Sequence, residues 1–122
     1  MLTEYMQKRI PDLMDELTIS VSVLGKEDGT IRYVNERMCK ELGKKQNEIC
    51  RQSYRNLFCS QLMDVYDSIR RNCQEDEVHS VTYYSFDKHQ WKQLSIKRVS
   101  WDAIPCFLLS IIDVISISYL EQ

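Results

Sequence analysis

The side chains able to do chemistry here are two histidines, five cysteines, many serines and a scatter of carboxylates. A useful catalytic set needs convergent polar groups. His79 falls in a strand pattern of mixed polarity and His89 in a turn. Although histidine is a capable acid or base, a lone one in such a place is expected to be solvated or structurally bonded. The cysteines, Cys39, Cys50, Cys59, Cys73 and Cys106, are odd in number and no two are spaced as C-x-x-C. Free thiols in a reducing compartment are expected, with no zinc site or redox pair. No G-x-S-x-G elbow and no G-x-x-x-x-G-K loop occurs, and only Gly25, Gly29 and Gly43 exist to build one. The carboxylates lie mostly in turns and on helix exteriors, where solvation is the ordinary state. The expectation is a protein with no catalytic residue and no metal, and not an enzyme.

The elements that must position any site follow from periodicity. The 122 residues set one domain as the prior and can bury a core without staples. The net charge is −2, with acids and bases interspersed, so no basic stripe invites nucleic acid. No apolar run is long enough to span a bilayer. The opening MLTEYMQKRIP is charged early and has no signal-peptide core, which predicts a cytoplasmic protein.

Leu2, Tyr5, Met6, Ile10, Leu13, Met14 and Leu17 recur at three- and four-residue steps, predicting helix over 2–17, kinked or divided at Pro11. Ile19 to Leu24 alternates as a strand, Asp28-Gly29 signals a tight hairpin turn, and Ile31 to Val34 is the returning strand. Asn35 is a preferred helix N-cap, and Gly43 suits the left-handed close of the helix begun there. KKQNEIC is a polar connection anchored by Ile49. Leu62, Val65, Tyr66 and Ile69 predict a second amphipathic helix, with Ser60 a candidate cap. Three more strands complete the pattern, Val78 to Phe86, Trp91 to Trp101 and Cys106 to Ile115, with DKHQ and WDAIP as turns. The last is apolar on both faces, as a central strand requires. Strands segregated from helices predict α+β with an antiparallel sheet.

The run IRYVNERMCKELG with the Glu48-Ile49 pair after it resembles the heart of a PAS domain, through Tyr33, Val34, Asn35, Leu42, Gly43, Glu48 and Ile49. Trp91 matches the Trp that opens that family's fourth strand. Asp113-Val114-Ile115 stands where the family carries Asp-Ile-Thr, departing at its third residue. The resemblance implies a sheet of order 2-1-5-4-3 with helices on one face and an N-terminal amphipathic helix. It divides the chain into a helical cap at 1–17, a PAS-like domain at 18–115 and the start of a linker to an output domain at 116–122. It also implies that Asp113 couples the sheet to an output helix, a coupling that Ile115 alters in detail. Haem held by histidine is disfavoured, because CSQLMDVYDSIRR has none where haem-binding relatives carry theirs. LOV-type flavin is disfavoured because NEICRQ is not the N-C-R-F-L-Q motif.

Two functions are then open. One is a sensory or regulatory module of a signalling protein, binding a small ligand or partner and relaying the change through dimer and linker. The other is a PAS-like dimerisation module with a filled core and no ligand. For a ligand the residues are Met63, Tyr66, Leu94, Ile96 and Arg98. Alternation points Arg98 the same way as Leu94 and Ile96, and a guanidinium drawn inward needs an acidic partner from the protein or from a ligand. For a homodimer the residues are Leu2, Tyr5, Met6, Ile10, Leu13, Met14 and Trp101, covering the face of the sheet away from the helices.

Overall fold

The computed structural model, which describes residues 19–114, gathers every period-two segment into one antiparallel sheet. Its strands are β1 (Ser20–Gly25), β2 (Ile31–Val34), β3 (Val78–Ser85), β4 (Gln90–Trp101) and β5 (Ile104–Asp113), in the order β2-β1-β5-β4-β3. The helix expected over 2–17, the dimer contacts Leu2, Tyr5, Met6, Ile10, Leu13 and Met14, and the linker at 116–122 lie outside the described residues.

Between β2 and β3 run α1 (Glu36–Leu42), a single turn α2 (Gln46–Ile49), a 3-10 turn at Tyr54–Asn56, and α3 (Ser60–Arg70). Helix α1 starts where the Asn35 side chain accepts from the Met38 N–H, and stops at Gly43, whose φ of 69° suits a residue without Cβ. The connection KKQNEIC gains a helical turn because the Glu48 carboxylate accepts from the Lys45 N–H at 3.1 Å. Cys59, not Ser60, is the N-cap of α3, and it makes no side-chain bond to the helix; Ser60 is already the first helical residue.

Two apolar layers result. On the helix side, Leu24, Ile31 and Val34 join Leu94, Ile96, Phe107, Leu109 and Ile111 beneath Met38, Ile49, Tyr54, Phe58, Leu62 and Tyr66. On the other side, Val21, Val23, Tyr33 and Cys106 are buried, with Val99, Trp101, Ile104 and Leu108 packed on them. Strand β5 feeds both layers from the centre of the sheet, which accounts for its continuous apolarity. Beyond this second layer a row of serines, Ser80, Ser95 and Ser110, crosses three strands at one level. The Ser80 and Ser95 hydroxyls lie 2.7 Å apart. Further along the same face Tyr84 meets Trp91 and Phe86 edge-on, with Trp91 53% and Phe86 71% exposed.

The turn expected over WDAIP is shorter than its sequence suggests. Only Asp102 and Ala103 turn, both at positive φ (51° and 61°), and pairing resumes with Trp101 opposite Ile104 and Ser100 opposite Pro105. Two left-handed residues match the twist of the flanking strands. Pro105 is tolerated inside the strand because it lies near the strand's start, where its carbonyl accepts from the Lys26 N–H at 3.0 Å.

Candidate functional site

Asn35 does more than cap a helix. Its side chain is fully buried, and Oδ1 accepts from Val21 N–H as well as Met38 N–H, each at 2.9 Å. Its Nδ2 donates to the Ile19 carbonyl at 2.8 Å. One amide therefore pins the entry of β1 to the exit of β2 and the start of α1. The cap is legible from residue type; the clamp on β1 is not, because it joins residues 14 and 16 positions apart.

The space between helices and sheet is occupied by rings. Tyr66 stands edge-on to Tyr54 at 4.9 Å, to Phe58 at 6.1 Å and to Phe107 at 6.3 Å between centroids. Burial pushes the Tyr66 hydroxyl well above the usual phenol range. Tyr54 donates its hydroxyl hydrogen to Asp67, and Arg70 Nε lies 2.9 Å from the same carboxylate. Burial acts to raise the Asp67 pKa. The hydrogen bonds from Tyr54 and Arg70, with the charges of Arg70 and Arg55, outweigh it and hold the carboxyl below its ordinary value.

Of the residues singled out for a ligand, Tyr66, Leu94 and Ile96 are buried members of this packed layer, and Met63 is half-buried against it. Arg98 shares their side of the sheet but stands at its rim. It lines a cleft of about 390 Å³ with Lys26, Glu75, Ser100 and Pro105, and none of the other four reaches that cleft. Trp101 lies on the opposite side, its ring 5.5 Å from that of Tyr33.

At the far end of β4, Lys92 occupies an inward position, in step with Leu94 and Ile96. Its side chain is 5% exposed, with Nζ 2.9 Å from Asp113 Oδ1 and 3.2 Å from the Glu41 carboxylate. Register places Lys92 opposite Asp113 across the β4–β5 ladder, and Glu41 comes from the last turn of α1. One ammonium thus joins the helical layer to the last residue of the central strand. A buried lysine persists only when paired. Val114 extends the ladder by one bond, its N–H reaching the Trp91 carbonyl at 3.0 Å. Sequence reasoning reached Asp113 by resemblance and missed its partners. The available signal was the alternation that turned Arg98 inward, which turns Lys92 inward too.

A family model of the PAS fold matches residues 8–113. Among solved structures, the PAS domain of an HTR-like protein from Haloarcula marismortui is similar with a TM-score of 0.65 at 25% identity, over 90% of this chain and 93% of that one. A PAS domain from a two-component sensor histidine kinase gives a TM-score of 0.66 at 12% identity, over 92% and 99% of the two chains. A sensory box sensor histidine kinase from Vibrio cholerae gives 0.65 at 14% identity, over 88% and 90%. No curated protein matches the sequence.

Proposed function

The chain belongs to the PAS fold family, and on that premise we propose that it is a sensory or regulatory module of a cytoplasmic signalling protein. In this reading it binds a small ligand or a partner and relays the change to an output domain through the end of β5. It does no chemistry of its own. The observation that carries the reading is the Lys92 bridge, because one buried charge answers both to Glu41 on α1 and to Asp113 at the strand exit. A shift of α1 by an ångström or two alters the competition between the two carboxylates for a single ammonium. In a desolvated setting that competition is strong. The PAS domains of sensor histidine kinases share this fold, which supports a signalling role of the same kind.

The test joins the chain to a histidine-kinase catalytic core and compares autophosphorylation for the wild type, Lys92→Met and Asp113→Asn. A relay through the bridge changes the output of both variants while circular dichroism shows each folded. Equal output from all three, and from the catalytic core alone, would overturn the reading.

The dimerisation module with a filled core is favoured by a separate observation, the ring packing of Tyr54, Phe58, Tyr66 and Phe107 between helices and sheet. Under either reading the chain is a homodimer through residues 2–17 and the Trp101 face. Light scattering on the full chain and on a form beginning at Thr18 tests that dimer, while native mass spectrometry separates the two readings, a retained small molecule favouring the sensor. A full-length monomer at tens of micromolar excludes the dimer, and a truncated dimer shows that the helix does not hold it.

A further inference from the structure

Among the described residues, Arg32 and Arg98 each bury an Nε without an acceptor, but Arg32 has Asp28 at 3.2 Å whereas the ion pair of Arg98 is looser. Arg98 lies on the inner face of β4, opposite Phe107, where the ring-packed layer ends. Its Nε is buried and meets no acceptor among the described residues. Its ion-pair partner is Glu75, at 4.0 Å from Nη1, the outer limit of such a contact, and the Glu75 side chain is 84% exposed. A guanidinium presents Nε and one Nη as a parallel pair of donors that fits the two oxygens of a carboxylate. Here that edge is partly stripped of solvent and left without such a partner.

The cleft around it is built from three separate places. Lys26 follows β1, Glu75 and Asp76 come from the loop before β3, and Val99, Ser100, Ala103 and Pro105 come from the end of the β4–β5 hairpin. Its volume of about 390 Å³ suits a small organic molecule. Two cations, Arg98 and Lys26, stand beside an apolar wall of Ala103 and Pro105, with the backbone of Val99 at its edge. Glu75 and Asp76 at the margin disfavour a multiply charged anion such as phosphate.

We infer that this cleft binds a small organic monocarboxylate with an apolar body, the carboxylate on the Arg98 fork and the body against Ala103 and Pro105. Glu75, 4.0 Å from Nη1, competes for the same guanidinium charge without occupying the Nε edge, so the ligand offers Arg98 a better placed carboxylate. The inference rests on the ligand-responsive reading for its biological purpose, while the binding itself stands on the cleft.

The experiment titrates the full chain, labelled with nitrogen-15, with sodium benzoate at fixed ionic strength and follows amide shifts. Saturable shifts are expected at Lys26, Val99, Ser100 and Cys106, with an apparent Kd of about 1 mM or tighter. Benzamide, the neutral isostere, and inorganic phosphate leave those amides unmoved. Arg98→Lys keeps the charge but loses the fork, and weakens benzoate by about tenfold or more, the worth of one charge-assisted bond. Glu75→Gln, a change at an exposed side chain, removes the competitor and tightens benzoate. Lack of saturation, equal binding of benzamide or phosphate, or an unchanged Kd in both variants overturns the proposal. Kinase output is read separately. An empty cleft with an intact Lys92 effect removes only the binding site, and benzoate binding without a Lys92 effect removes only the relay.

Discussion

Replacing Asn35 by alanine tests how far one buried amide organises this fold. The cap on Met38 N–H is worth about 1 kcal/mol. The Val21 N–H loses its acceptor as well, and Val21 is 3% exposed, so water does not replace it. A stranded buried donor costs roughly 2 kcal/mol. Ile19 is half-buried and its bond to Asn35 only partly so, which lets solvent take the amide's place at its carbonyl. The expected total is about 3 kcal/mol, a large part of the 5–15 kcal/mol that holds a typical domain together. In urea, with a slope of about 2 kcal/mol per molar, the midpoint falls by about 1.5 M. A fall of only about 0.5 M means that Asn35 acts as a helix cap and that its bond to β1 adds nothing. Asn35→Asp sharpens the test. It keeps the acceptor for Val21 and Met38 but turns a carboxylate oxygen toward the Ile19 carbonyl, 2.8 Å from the present amide nitrogen. That variant is expected to lose stability at pH 7 and to regain part of it at pH 4, relative to wild type, as protonation restores a donor.

Lys92→Met leaves Glu41 and Asp113 facing each other without their shared cation and is expected to cost about 3 kcal/mol by urea unfolding. The triple variant Lys92→Met, Glu41→Gln, Asp113→Asn recovers most of it. Ala103→Gly relieves a side chain held at φ 61° and raises stability by about 0.5–1 kcal/mol once the freer unfolded chain is counted, seen as a higher melting temperature; a lower one contradicts the turn geometry. Asp67 has its carboxyl held below the ordinary value of 3.8, so its contribution is present above pH 3.8 and fades as pH falls through the lower folded value. Asp67→Asn is therefore expected to flatten the acid limb of the stability profile, and an unchanged limb removes Asp67 from it.

The sheet was legible because its signal is local and repeats every second residue. The alternation in Trp91 to Trp101 placed Leu94, Ile96 and Arg98 on one side and Val99 and Trp101 on the other, and the double apolarity of β5 placed it centrally. What escaped lies where no period operates. Tyr54 and Phe58 come from the irregular stretch between α2 and α3, so nothing in their spacing announces that their rings fill the space beside Tyr66. The β4–β5 turn misled because Pro105 reads as a turn residue, whereas Ala103, which adopts the left-handed conformation, carries no such signal. The Lys92 bridge depends on a register of 21 residues and a contact of 51, and pairing over such separations is not written in any short window.

The serine row on the outer face has a bearing on whatever lies against that face. It lies between the apolar patch around Val23, Tyr33 and Trp101 and the rings of Tyr84, Phe86 and Trp91, and Val21, opposite Ser110, continues its line on β1. Ser80, Ser95 and Ser110 keep donors and acceptors that a greasy cover leaves unmet. A surface that slides along the strands by one residue, about 3.4 Å, moves its own polar groups off that row and brings apolar atoms onto hydroxyls. The row therefore works as a positional mark. A partner seated on this face would find few alignments that leave the hydroxyls paired.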